Sequence, residues 1–206
     1  MIVVVRMKAF RSIAPLLGVL VVTTAYAVLR YNVFKGIAWD HVPLYVVNKA
    51  VAWTAITLLL VAAVRALRSR KDMLSSEYLA QAIAMGGMHA LMSLVLISSA
   101  RYPDLYDASQ QLSLQGELAL LAGVVAAACS TWARRRAVAA AALPLAVTLH
   151  CTALGARNWL LPSKWPGHLV PITLICAATA VVAAVATMAW ARRPPMPSTH
   201  QDPWSK

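Results

Sequence analysis

The sequence predicts an all-α membrane protein, a polytopic bundle of six transmembrane helices with both termini in the cytoplasm. Two observations carry this prediction. Hydrophobic residues make up 60% of the 206 residues and charged residues 13%, whereas soluble domains are about 45–50% apolar and about 25% charged. The hydrophobic residues are also gathered into six runs, and basic residues are concentrated in alternate connections between them.

Each apolar run can cross a bilayer core of about 30 Å, which requires about 20 helical residues. The predicted spans are residues 12–30, 43–65, 78–100, 112–133, 137–156 and 169–191. The first run lacks a convincing cleavage site, so we expect a retained span rather than a signal peptide. Pro144 lies within the fifth run, and we expect a kink there or compensation by neighbouring groups. Residues 1–193 are therefore expected to form one transmembrane domain, followed by a Pro-rich, disordered cytoplasmic tail at residues 194–206.

The basic residues predict the orientation, because cytoplasmic loops carry an excess of Lys and Arg. Of 19 such residues, 13 fall on one side of the six-span arrangement: Arg6, Lys8, Arg11, Arg65, Arg68, Arg70, Lys71, Arg134, Arg135, Arg136, Arg192, Arg193 and Lys206. This asymmetry accounts for most of the net charge of +12, so nucleic acid is not expected as a partner. We expect a multi-pass protein of a bacterial inner (plasma) membrane, surrounded by the lipid bilayer.

Two of the five histidines lie deep within predicted spans. His89 is 11 residues into the third span and His150 is 13 residues into the fifth, which places them about 16 Å and about 20 Å from the cytoplasmic side at 1.5 Å per residue. The other three, His41, His168 and His200, lie in loops or in the tail. Two imidazoles at one level on parallel helices can occupy both axial positions of a haem iron, so His89 and His150 are the predicted metal ligands.

The residues around this pair suit a flat, anionic macrocycle. Gly86 and Gly87 lie one turn from His89 and leave space for a ring. Arg157 lies two turns beyond His150 on the same helical face and is a candidate partner for a haem propionate. Further candidates for that role are Lys49, Arg101 and Lys164.

Each of these features also has a structural interpretation without a cofactor. A single histidine in a membrane helix often makes an interhelical hydrogen bond, and small residues such as Gly86 and Gly87 allow helices to pack closely. Lys49 and Glu117 could form an ion pair of no catalytic significance. The three cysteines lie in apolar runs without metal-ligand spacing, so we expect small buried hydrophobic residues.

The six-span layout, with one histidine in the third span and one in the fifth, resembles the ferric reductase-like transmembrane domain family. The supporting segments are Asn48-Lys49-Ala50, Gly86-Gly87-Met88-His89 and Thr148-Leu149-His150. In size the chain is similar to small bacterial haem b members, such as the membrane subunit of the periplasmic methionine sulfoxide reductase system. The resemblance covers approximately residues 43–191 and implies that His89 and His150 ligate haem b.

The chain also departs from that pattern. Larger members carry two histidines on each of these helices, whereas Ala137 occupies the second position in the fifth span and the third span has no second histidine. This departure favours one haem. No Gly-rich nucleotide-binding motif is present, so electrons are expected from a separate cytoplasmic reductase or from quinol.

These inferences predict a membrane-embedded b-type cytochrome that passes electrons from a cytoplasmic or quinol donor to an extracytoplasmic protein or small molecule. Such a protein would be the haem-binding, electron-transfer subunit of an oxidoreductase. The alternative is a cofactor-free small transporter or an accessory subunit of a membrane complex, in which the same polar residues serve packing or a substrate pathway.

Overall fold

The computed structural model describes residues 2–69 and 72–193. Six α-helices dominate these residues, and no strand occurs among them. The helices are α1 (Ile2–Val28), α2 (Val47–Ser69), α3 (Glu77–Leu96), α4 (Leu114–Trp132), α5 (Ala137–Trp159) and α6 (Ile172–Ala191). All six are long and apolar enough to cross a membrane, which confirms the predicted six-span, all-α architecture. The predicted tail, residues 194–206 with His200, lies outside the described residues.

The helix ends differ from the predicted spans where the backbone leaves the α conformation. The first span continues beyond α1 as a π-helical segment, Leu29–Phe34, and a second such segment, Val42–Val46, leads into α2. Helix α3 stops at Leu96, earlier than predicted, because Ile97 is extended. Apolar character therefore predicts that a helix exists more reliably than it predicts where the helix ends.

Pro144 does not interrupt α5, which runs without a break from Ala137 to Trp159. Proline removes one backbone donor from the helix. The Thr148 hydroxyl donates to the Pro144 carbonyl oxygen over 2.9 Å, so a nearby side chain interacts with the helix backbone at this position. Pro144 itself is buried, as expected for a proline accommodated by its neighbours.

The helices pack in a ring in which α2 contacts α3 and α6, α5 contacts α4 and α6, and α3 touches α4 only lightly. Helix α1 packs outside this ring against α2. Alanines bring α2 and α6 close together, as is usual between membrane helices; the buried ones include Ala62, Ala63, Ala180 and Ala183. Among the described helices, α3 and α5 share no extensive interface, so their side chains meet across a looser part of the ring.

Contacts at the two ends show that consecutive spans run in opposite directions. Lys49, near the start of α2, contacts Tyr102, which follows α3. At the opposite end, Arg65 of α2 donates to the hydroxyl of Tyr78, near the start of α3, over 3.1 Å. Large apolar side chains such as Leu91 and Val95 of α3 face outward, 68% and 74% exposed, as expected for surfaces that contact lipid.

Candidate cofactor site

His89 lies near the middle of α3 and is tied to α2. Its Nδ1 lies 2.7 Å from the side-chain oxygen of Asn48 and 3.5 Å from the Ser93 hydroxyl. Asn48 is almost completely buried, with 1% of its surface exposed, and its amide nitrogen donates to Ser93 over 3.0 Å. The three side chains form one hydrogen-bonded group that fixes the orientation of the His89 ring.

His150 lies on α5 and is tied to α4 in an equivalent way. Its Nδ1 lies 2.7 Å from the backbone carbonyl oxygen of Ala119. Gly123 lies one turn further along α4, and a Cβ atom at that position would meet the His150 Nδ1 at 3.2 Å. The absence of a side chain at Gly123 lets the imidazole lie close to the α4 backbone.

The two imidazoles face each other across the looser part of the ring. Their centroids are 6.2 Å apart and their planes are inclined by 75°. Each nitrogen lies about 1.1 Å from its ring centre, so no two nitrogens come closer than about 4 Å, beyond hydrogen-bond range. His89 and His150 are therefore neighbours that do not hydrogen bond to each other.

The hydrogen bonds define where each neutral imidazole carries its proton. The carbonyl oxygens of Ala119 and of the Asn48 amide can only accept, so Nδ1 of each histidine is the donor. In a neutral imidazole the other nitrogen then has a free lone pair. Nε2 of His89 and Nε2 of His150 are consequently the two nitrogens able to bind a metal, and a donor bond from Nδ1 is the usual way in which ligating histidines are oriented.

Two glycines precede His89 in α3, and only Gly86, one turn away, lies close to the same helical face. A Cβ atom added to Gly86 or Gly87 would meet no other atom within 4 Å, so neither glycine mediates close packing between helices in the described structure. Both His89 and His150 retain part of their surface accessible, so a molecule beside α3 can reach them.

Lys49 follows Asn48 and lies between two aromatic rings. Its ammonium nitrogen is 4.9 Å from the ring centre of Tyr45 and 4.7 Å from that of Tyr102, within the range of cation–π attraction. The predicted alternative, an ion pair with Glu117, does not form: within the described residues, the one contact within 4 Å between a carboxylate and a basic side chain joins Asp40 and His41. Lys49 thus brings a positive charge, without a carboxylate partner, next to the Asn48–His89 bond.

The remaining predicted site residues lie near the same end of the bundle as Lys49. Arg157 is in the last turn of α5 and is exposed. Arg101 follows α3 and lines an open cleft together with Lys35. Lys164 lies in a short helical turn between α5 and α6 and is also exposed. Their assignment to haem propionates stays a prediction.

Sequence reasoning did not assign the residues that position the histidines. Asn48 appeared only as part of a motif, although a buried amide within an apolar span is itself a signal of an interhelical hydrogen bond. Ala119 contributes through its backbone carbonyl oxygen, a group that every residue type has, so the sequence does not distinguish this position. Gly123 is one of two glycines in α4, and nothing in its local sequence distinguishes it.

No group of three or more His, Cys, Asp or Glu side chains placed to hold a metal ion occurs among residues 2–69 and 72–193. Comparison with models of known protein families gave no match, and comparison with curated proteins gave no similar relative.

Proposed function

We propose that this chain is a b-type cytochrome of the membrane that carries electrons across the bilayer through one haem held by His89 and His150. The observation that carries the proposal is the pair itself: two imidazoles on different helices, each with Nδ1 bonded to an oxygen of a neighbouring helix and with ring centres 6.2 Å apart. Both lie near the middle of their helices, where an ionisable residue is by default a candidate functional group.

The separation of the rings suits a single iron between them. A metal–imidazole bond is about 2.0–2.1 Å long, and the bonding nitrogen lies about 1.1 Å from its ring centre. Two imidazoles that held one metal ion from opposite sides would therefore have ring centres about 6.3 Å apart. The observed distance is 6.2 Å. An angle of 75° between the ring planes would allow both imidazoles to hold one metal ion.

The neighbouring residues also suit a porphyrin. Gly86 lies one turn from His89, close to the same helical face, and a Cβ atom there would meet no other atom within 4 Å. Lys49 offers a cation near the pair, and we assign it as the principal partner of a propionate, with Arg157 as a further candidate. A haem held there by His89 and His150 would supply one-electron chemistry. The chain's own contributions are then the ligands, the hydrogen bonds to them and the burial of the site.

The proposal includes an orientation and a family. The excess of basic residues at the Arg135 end of the bundle supports a cytoplasmic location for that end, with Trp165 and Lys49 toward the opposite side. We further propose a bacterial inner membrane, a separate reductase or quinol as donor, and an extracytoplasmic acceptor. The positions of His89 and His150 support membership in the ferric reductase-like transmembrane domain family.

An optical spectrum of the purified protein tests the proposal. Full-length chain expressed with ample haem precursor and purified in mild detergent should show a sharp Soret band, a low-spin spectrum and about one haem per chain. A monodisperse, correctly folded preparation without colour would contradict it. In that case the histidine hydrogen bonds to Asn48 and Ala119 would be interhelical packing contacts, as in a cofactor-free transporter or accessory subunit.

A further inference from the structure

A cleft at the Trp165 end of the bundle has a separate chemical character. It has a volume of approximately 470 Å³ and is lined by Lys35, Ile37, Ala38, His41, Tyr45, Ala100 and Arg101. This volume falls within the range of about 300–1,000 Å³ that is typical of small-molecule sites. The lining comes from three segments: the connection after α1, the turn before α2 and the residues that follow α3.

Two cations, Lys35 and Arg101, line this cleft, and no carboxylate is among its lining residues. Neither Lys35 nor Arg101 has a carboxylate within 4 Å among the described residues. His41 lies 3.8 Å from Asp40, whose side chain is 78% exposed. The pKa of Lys35 is lowered, mainly because its ammonium group is partly buried and secondly because of the positive charge of Lys49. The carboxylate of Asp104 acts in the opposite direction and raises this pKa. An anion in the cleft would relieve this repulsion between cations.

The cleft wall is held in place by the chain beneath it. The buried Asn32 side chain donates to the backbone oxygen of Ile37 over 2.9 Å, and the Ile37 amide donates to the Tyr31 carbonyl over 2.9 Å. Gly36 has a φ of +72°, a conformation that glycine adopts readily and that lets the chain turn between Lys35 and Ile37. A preformed wall lowers the entropy cost of binding a ligand.

The apolar lining indicates the shape of the ligand. Ile37, Ala38 and Ala100 lie beside the two cations, and Tyr45 is fixed by rings of Tyr31 and Tyr102 at centroid distances of 5.9 Å and 5.8 Å. Such a site suits a molecule with a short apolar body and one anionic group. Tyr45 also contacts Lys49, so a single layer of side chains separates the cleft from Lys49.

We propose that this cleft is a binding site for a small organic anion, recognised through a carboxylate or phosphate group by Lys35 and Arg101. Two sources supply this chemistry: a soluble carboxylate or phosphate compound, and the head group of an anionic phospholipid at the membrane surface. The site does not require haem, so it can be measured in preparations with or without the cofactor.

The test is a binding measurement on the full-length protein in neutral detergent. Succinate and inorganic phosphate are titrated against sodium chloride at matched ionic strength by calorimetry. In a second arm, native mass spectrometry compares retention of phosphatidylglycerol with that of phosphatidylcholine. Saturable binding of either soluble anion identifies a soluble ligand. Selective retention of phosphatidylglycerol alone identifies a lipid head group. Either result supports the proposal.

Two variants locate the binding in the cleft. Lys35→Gln removes one cation and should weaken binding on the order of tenfold, as expected for loss of a charge-assisted hydrogen bond. Ala100→Trp fills the exposed cleft while keeping every cation, and it should abolish binding. The control is Lys164→Gln, an exposed cation at the same end of the bundle that does not line the cleft. No binding in either arm, or binding that survives both cleft variants, would overturn the proposal.

Discussion

Asn48 is the position at which the proposed role of the histidines can be tested without removing a ligand. In Asn48→Leu, the His89 Nδ1–H loses its acceptor at 2.7 Å. The Ser93 hydroxyl, at 3.5 Å, is a poorer replacement and also loses its own donor from Asn48. Leaving a buried donor without a partner costs about 1–3 kcal/mol. At about 1.4 kcal/mol per tenfold change, haem affinity should fall roughly tenfold to hundredfold, as found for other outer-shell partners of ligating histidines.

A matched control lies on the same helix. Thr54 is completely buried in α2 and its hydroxyl lies 2.8 Å from that of Thr23. Thr54→Val therefore also removes a buried interhelical hydrogen bond, at a cost of about 1 kcal/mol in stability, but it does not touch His89. The assay is the rate of haem loss to an excess of a haem-scavenging protein, with the melting temperature measured in parallel.

The expected result is fast haem loss in Asn48→Leu and a wild-type rate in Thr54→Val at similar melting temperatures. Asn48→Asp provides an independent readout, because it keeps the acceptor and adds a negative charge that favours the ferric state. Its midpoint potential should be lower than that of the wild type. Equal rates of haem loss in Asn48→Leu and Thr54→Val, with an unchanged potential in Asn48→Asp, would refute the reasoning.

Three further predictions concern the second ligand, the orientation and the donor. Gly123→Val places carbon atoms where the His150 ring lies, since even a Cβ atom would be 3.2 Å from Nδ1, and it should lower the haem content severalfold. Gly18→Ala is the control, because Gly18 lies in open space, and it should leave the haem content unchanged. A cysteine at Lys164 should react with an impermeant thiol reagent in intact cells and one at Arg135 should not; the reverse pattern would invert the topology. The isolated chain should not oxidise NADH or NADPH at a useful rate, because its sequence contains no nucleotide-binding motif; robust turnover would show that a binding site has been overlooked.

The six spans could be predicted from sequence because each depends only on local composition. An apolar run of membrane-spanning length has to form a helix to satisfy its backbone, and all six predicted runs do so. That His89 and His150 lie at one level of the bundle was predictable for the same reason, since a constant rise per residue converts sequence position into distance along a helix. Helix ends such as that of α3 at Leu96 were less predictable because they depend on turn chemistry.

The partners within the site depend on how different helices are rotated and placed against one another. That Asn48 meets His89, and that Ala119 meets His150, requires the packing of α2 on α3 and of α4 on α5. The need for a glycine at Gly123 likewise depends on an imidazole from the neighbouring helix. Lys49 illustrates the same limit: its sequence position suggested Glu117 as a partner, whereas packing surrounds it with Tyr45 and Tyr102.

The most direct test of the central claim is the haem-to-protein ratio in single histidine variants. His89→Ala and His150→Ala should each lose most of the haem while remaining monodisperse, because each removes one axial bond and leaves a void beside the ring. His41→Ala and His168→Ala, at loop positions, should keep it, as should His200→Ala. Wild-type haem content and an unchanged low-spin spectrum in His89→Ala and His150→Ala would contradict the assignment of these two residues as the ligands.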